Sequence, residues 1–261
     1  MEHDDDIPIG RILTRREVLT LLGAASTAML AGCAPGQSTS TSIPSPSSVP
    51  AQTLSGAGTV AVPACVVRPE QTEGPYFVDE KLNRSDIRPD PSNGSVKEGV
   101  PLQLAFRVSQ ISSDACVPLA GAQVDIWHCD ALGVYSDTTD PGFNTVGQKF
   151  LRGYQVTDAN GTVQFTTIYP GWYQGRTVHI HFKIRTDPES QQGYEFTSQL
   201  FFDDSLTDQV YAQEPYASKG ERTLRNDGDG IFQGGGDQLM LQLTQDGEGY
   251  AATFDIGLQM A

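Results

Sequence analysis

Histidine is scarce in this chain, four in 261 residues, so a metal site built from imidazoles has few residues to draw on. Cysteine is equally scarce, with four residues and no C-x-x-C pair. That excludes the usual zinc-finger and zinc-ribbon patterns. Basic residues are outnumbered, 17 Lys and Arg against 32 Asp and Glu. A chain of net charge −15 has little attraction for a phosphate backbone or an anionic lipid surface, so nucleic acid is not an expected partner. No internal repeat is visible. Beyond the N-terminal region, no stretch carries strong helical periodicity, which argues against a parallel α/β sheet.

What is present begins with an export pattern. "TRREVLTLLGAASTAMLAGC" sets Arg15 and Arg16 before an apolar run from Val18 to Ala31. The run is too short and too rich in small residues for a membrane span, and paired arginines fit a twin-arginine type signal. "LAGC" resembles the bacterial lipobox, whose cysteine is lipidated after cleavage. Residues 1–33 therefore read as a lipoprotein signal with Cys33 as the lipidation site. The expectation is an exported protein anchored to the outer face of the cell membrane through its N-terminal lipid. Residues 34–62 are dominated by Ser, Thr, Pro, Ala and Gly. They cannot bury enough apolar surface to offset their ordering entropy and read as a disordered linker. Residues 63–261 are the expected folded domain.

That domain alternates with period two. "PLQLAFRVSQ" puts Leu102, Leu104, Phe106 and Val108 on one face. "AQVDIWHCD" puts Val124, Ile126 and His128 on one face and Asp125, Trp127 and Cys129 on the other. "GYQVTDANGTVQFTTI" predicts a hairpin through Asn160-Gly161. "HIHFKIRT", "TSQLFFDD", "LMLQLTQ" and "YAATFDIGL" complete a set of short strands, with short helices expected around 205–225. The pattern predicts an all-β fold, a β-sandwich with short helices and long loops.

"GWYQGRTVHIHFK" carries the chemistry. His179 and His181 share one strand face while Ile180, Phe182 and Ile184 point to the other. Two imidazoles on one face form half of a metal site. One completion adds His128, giving a three-histidine zinc site of hydrolytic type. Because His128 shares a face with Val124 and Ile126, packing is its expected role. The other completion draws on Tyr135 in "LGVYSD" and Tyr173 in "YPGWYQGR". Phenolate oxygens suit a hard, highly charged ion such as Fe³⁺.

"TEGPYF" (72–77), "WHCDALGVYSD" (127–137), "LRGYQVTDANG" (151–161), "TIYPGWYQGRTVHIHFK" (167–183) and "TSQLFF" (197–202) together resemble the intradiol ring-cleaving dioxygenases, most closely their exported, single-domain branch. The resemblance implies a non-haem Fe³⁺ held by Tyr135, Tyr173, His179 and His181. It implies insertion of O₂ between the two hydroxyl-bearing carbons of a catechol-type aromatic, giving a muconate-type dicarboxylic acid. It further implies catalytic roles for Tyr173, as ligand and then general base, and for Arg176 and Gln199. The N-terminal helical segment with which larger members dimerise is replaced here by the signal and linker, so their dimer does not carry over. An exported β-sandwich binding module without catalysis is the rival of a different class.

Three features remain. Cys65 and Cys116, beside Pro63 and Pro118, are the expected disulfide, and Cys129 the expected buried thiol. Tyr76 is a candidate for the pocket mouth. "NDGDGIF" (226–232) faintly resembles a calcium loop but lacks its spacing; an acidic turn is the simpler reading.

Overall fold

The computed structural model describes residues 66–260 except 113, 114 and 191, all within one compact unit. The signal, Cys33, the linker and Cys65 lie outside the described residues.

Eleven strands are present among them, together with a few short helices. β1 (Pro101–Ser112) runs parallel to the last strand, β11 (Gly249–Leu258), and antiparallel to β2 (Ala115–Pro118) and β7 (Thr162–Ile168). β10 (Thr244–Asp246) extends this sheet beyond β11. A second sheet has the order β6-β3-β8-β9, from Arg152–Val156, Gln123–Trp127, His179–Arg185 and Glu195–Phe201, with every pair antiparallel. β4 (Thr139–Asp140) and β5 (Phe143–Asn144) form a small ribbon.

The sheets pack through the side chains that alternation assigns to the inside. Leu102, Leu104, Phe106 and Val108 are buried against Val124, Ile126, Ile180, Phe182 and Ile184. Phe106 and Phe182 lie 5.3 Å apart between ring centroids, and Phe254 lies 5.9 Å from the former and 5.6 Å from the latter. These tilted and edge-on contacts are the favoured aromatic geometry. Replacing Phe106 by alanine would cost about 3–5 kcal/mol.

Two strand expectations are corrected. β6 and β7 do not form a hairpin: β6 lies in the second sheet and β7 in the first. The Asn160-Gly161 turn is present, closed by Asp158, whose Oδ1 accepts from the N–H groups of Asn160 and Thr162 at 2.9 and 2.8 Å. It carries the chain across the sandwich because core positions on both flanks are satisfied in different sheets. The predicted strand over "LMLQLTQ" shrinks to β10 and a bridge from Met240 to Phe201. The expected short helices appear as α1 (Asp204–Tyr211), capped by Asp203, and a 3₁₀ turn over Tyr216–Lys219.

One covering segment has no strand signature. Residues 66–90 wrap the sandwich and hydrogen-bond to both sheets. Gln71 N donates to Thr197 O at 3.0 Å, Tyr154 N to Leu82 O at 2.8 Å and Ile87 N to Thr166 O at 3.0 Å. This strap explains why β8 is buried along both faces. One face meets the core, and the other lies under the strap.

Candidate metal centre

The strap-covered face of β8 carries His179 and His181, 4% and 3% exposed. His179 donates its Nδ1 proton to Thr177 O at 2.7 Å, which leaves the lone pair on Nε2. That Nε2 lies 3.0 Å from His181 Nε2 and 3.2 Å from Tyr135 Oη. Trp127 stands opposite His181 in the β3–β8 register and stacks on its ring, 5.0 Å between centroids and 6° between planes. Burial pushes both imidazole pKa values down, that of His179 to about 3. Both rings are therefore neutral at physiological pH, the form that binds a metal.

Two glycine-dependent loops deliver the tyrosines. Asp130 organises the first: its Oδ1 accepts from Leu132 N and Val134 N at 3.0 and 2.9 Å. Gly171 N donates to Asp130 O at 3.1 Å, joining the second loop to it. A Cβ on Gly133 would collide with Trp172 O, and one on Gly171 with the carbonyls of Asp130 and Ala131. The G-V-Y and P-G-W-Y glycines are thus the points where two backbones touch. The contact sets the Tyr135 and Tyr173 rings 5.8 Å apart, nearly perpendicular. Arg152 on β6 fixes the surroundings of Tyr135 by donating to Ser136 Oγ at 2.7 Å and to Tyr76 O at 3.2 Å.

Tyr173 is half-buried at the rim. Its hydroxyl donates to Asp140 Oδ2 at 2.7 Å and lies 2.5 Å from Tyr76 Oη, which itself donates to Asp140 at 2.6 Å. These bonds, that from Tyr76 foremost, hold the Asp140 carboxyl below its usual range. Arg176 donates through Nη2 to Gln199 Oε1 at 2.7 Å, and Gln199 stands opposite His181 in the β8–β9 register. Gln199 Nε2 donates to Thr72 O at 2.9 Å, binding the strap to the site.

The structure therefore gathers Tyr135, Tyr173, His179, His181, Arg176 and Gln199 into one neighbourhood. His128 does not join them. It is buried, with Nδ1 2.8 Å from Cys129 O and Nε2 2.7 Å from Thr167 Oγ1, a bridge between the two sheets. A three-histidine zinc site lacks its third nitrogen. Cys129 is a buried free thiol 3.3 Å from Gly171 O. Cys116 is disulfide-bonded, while its expected partner Cys65 lies outside the described residues.

Sequence reading missed several supporting residues. Gly74 has φ +71°, and a Cβ there would lie 3.2 Å from His181 Cε1. Asp140, in "TDPGF", accepts from both Tyr173 and Tyr76 and was not singled out. Asp229, in the acidic turn "NDGDGIF", accepts from Arg176 Nε at 2.9 Å. Its only sequence signal is that of a helix N-cap before Gly230-Ile231. Tyr76, named for the pocket mouth, lies beside Tyr173 and shares Asp140 with it.

Two neutral imidazole nitrogens and two phenol oxygens on a β-sandwich are a donor set suited to a hard, trivalent ion. A family model described as Dioxygenase matches residues 72–259. This chain belongs to the intradiol ring-cleavage dioxygenase family, whose members use non-haem iron. It is 30% identical over 152 residues to the catechol 1,2-dioxygenase of Candida albicans, covering 49% of this chain and 44% of that protein. It is 31% identical over 159 residues to a chlorocatechol 1,2-dioxygenase of Pseudomonas putida, covering 50% and 52%. The chain thus spans about half the length of these two relatives. The solved intradiol ring-cleavage dioxygenase of Tetranychus urticae is 31% identical, with a TM-score of 0.65, and the match covers 75% of this chain and 95% of that one.

Proposed function

We propose that this protein is a non-haem Fe³⁺ intradiol dioxygenase that opens a catechol-type ring between its two hydroxyl-bearing carbons. Both atoms of O₂ are retained in a muconate-type dicarboxylic acid. The carrying observation is the convergence of His181 Nε2 and Tyr135 Oη on His179 Nε2, at 3.0 and 3.2 Å, with the Tyr173 ring 5.8 Å from that of Tyr135. Tyr135, Tyr173, His179 and His181 would hold the ion. When bound, ferric iron supplies a Lewis acid for the two catechol oxygens and a redox centre for O₂.

The chain's own residues do the rest. Burial keeps Tyr135 protonated when no cation is near, and a trivalent charge reverses that preference. A catechol must give up two protons to bind through both oxygens. Tyr173 Oη, in its phenolate form, is the acceptor for one of them, solvent takes the other, and Asp140 Oδ2 and Tyr76 Oη are already in place to hold the protonated hydroxyl. Arg176 provides a fixed cation beside the ring-binding space, held there by Gln199. The strap and the Trp127 ring exclude water from the imidazole side.

The test is direct. Iron-loaded protein should show a phenolate-to-iron charge-transfer colour, and catechols should drive O₂ uptake with a ring-opened diacid as product. Colourless protein carrying stoichiometric zinc, or protein that takes up no metal, would falsify the reading. A panel of catechol, protocatechuate, hydroxyquinol and lignin-derived relatives would identify the substrate. Export and lipid attachment at Cys33 belong to the same proposal. A Cys33→Ala change should release the protein from the membrane fraction. Among the described residues, no helix is long and apolar enough to cross a membrane.

A further inference from the structure

Asp229 lies outside the ligand set, yet its carboxylate is 1% exposed and fully engaged. Oδ1 accepts from Ile231 N and Phe232 N at 2.8 and 3.0 Å, capping α2 (Gly230–Gln233). Oδ2 accepts from Arg176 Nε at 2.9 Å and from Thr177 N at 2.7 Å. The peptide that donates to Asp229 is next to the carbonyl that orients His179, because Thr177 O takes the His179 Nδ1 proton at 2.7 Å. The Thr177 hydroxyl is separately tied to Asn226 Oδ1 at 2.6 Å.

We propose that Asp229 is the positioning residue for the site: one carboxylate aims the Arg176 guanidinium and, through Thr177, fixes the ring orientation and tautomer of His179. This rests on the dioxygenase reading only for the purpose served. The contacts stand by themselves. Burial alone would raise the carboxyl pKa, but Arg176 and the N–H donors outweigh it and keep the group ionised. Arg176 consequently meets a substrate as half of an ion pair that cannot rotate, because Nε is held by Asp229 and Nη2 by Gln199. Metal-binding imidazoles depend on the group that takes their second proton, and losing such support weakens metal affinity or activity about 10–100-fold.

Asp229→Asn tests this in the full-length protein, because asparagine caps a helix as well as aspartate but presents an amide to Arg176 and Thr177. The expected result is a folded protein whose melting temperature falls by several degrees, since the cap survives but Arg176 Nε and Thr177 N lose their acceptor. Iron affinity by chelator competition and kcat/KM should each fall about 10–100-fold. In metal-free, ¹⁵N-histidine-labelled protein, the hydrogen-bonded Nδ1–H signal of His179 should weaken or shift. Asp203→Asn is the control, since Asp203 caps α1 through Leu206 N at 2.9 Å without touching the site; it should change none of these readouts. If Asp229→Asn does not fold, Asp229→Ser retains a capping oxygen too short to reach Arg176 and takes its place. A parental His179 signal with parental iron affinity in the variant would overturn the proposal, as would an equal loss of iron in Asp203→Asn. If the parent protein takes up no iron, the dioxygenase reading fails, and the His179 signal still decides the role of Asp229.

Discussion

The strap-covered face of β8 has two ends that solve burial in opposite ways. At one end His179 and His181 are neutral, and their Nε2 atoms point at each other and at a phenol. At the other end Lys183 and Arg185, 8% and 5% exposed, have their charges answered. Arg185 pairs with Asp125 at 3.0 Å and with Asp79 at 3.0 Å. Lys183 pairs with Glu73 and lies 4.4 Å above the Phe77 ring. The cationic end is closed upon itself. The imidazole end leaves the His179 Nε2 lone pair facing only the Tyr135 hydroxyl and the His181 ring, two neutral groups that a cation can displace it from. Four alternate residues of one strand thus separate a site from a clamp, and the strap is fastened by the clamp where it crosses toward the site.

The largest expected effect breaks the imidazole end. His181→Ala should lose iron and reduce O₂ uptake by more than about 100-fold, beyond the loss from a missing supporting residue. Iron content by elemental analysis checks it, and full iron with full activity would end the ligand assignment. Next comes the clamp. Arg185→Met leaves Asp125 and Asp79 without their cation and should cost about 3–5 kcal/mol of stability. Iron bound per folded chain should not change. If it drops while denaturant melts stay normal, the two ends are coupled and the contrast fails.

The third prediction uses His128, a buried imidazole on neither end. Burial lowers its pKa from 6.5 to about 4. The unfolded chain therefore binds a proton below pH 6.5 that the folded chain refuses until about pH 4. Stability present above pH 6.5 is lost as pH falls through that window, by about 3 kcal/mol at roughly 1.4 kcal/mol per pH unit. Urea melts of metal-free protein from pH 7 to 4 should show the slope, to which His179 and His181 also contribute, and His128→Gln should make it shallower by the share of one proton. The smallest effect is Gly74→Ala, about 1 kcal/mol for a side chain at positive φ. The new methyl also presses on His181, so the charge-transfer band should shift. An unshifted band would mean that the strap does not touch the site in solution.

The two ends also differ in how far the sequence exposed them. His179 and His181 stood out because two polar rings interrupt a buried strand at the same spacing as its core residues. The Leu102–Val108 and Ile180–Ile184 alternations were legible for the same local reason. Arg185 and Asp125 were not, because their pairing is a cross-strand fact two elements apart. The strap was invisible, since its hydrogen bonds go to other segments and leave no periodicity. The Asn160-Gly161 turn misled because turn chemistry specifies a reversal but not which sheet receives the returning strand. Asp229 was legible only as part of an acidic turn. Its second oxygen, facing Arg176, depends on residues 53 positions away.

β1 and β11 lie side by side, with Leu102 paired to Tyr250 and Gln110 to Leu258. β1 thus waits for β11, far along the chain, before one of its edges is covered, and contacts of such sequence separation form slowly. Completion of this sheet therefore depends on β11, and a chain lacking Gly249–Leu258 would leave one edge of β1 as an apolar, unpaired ribbon open to every neighbour.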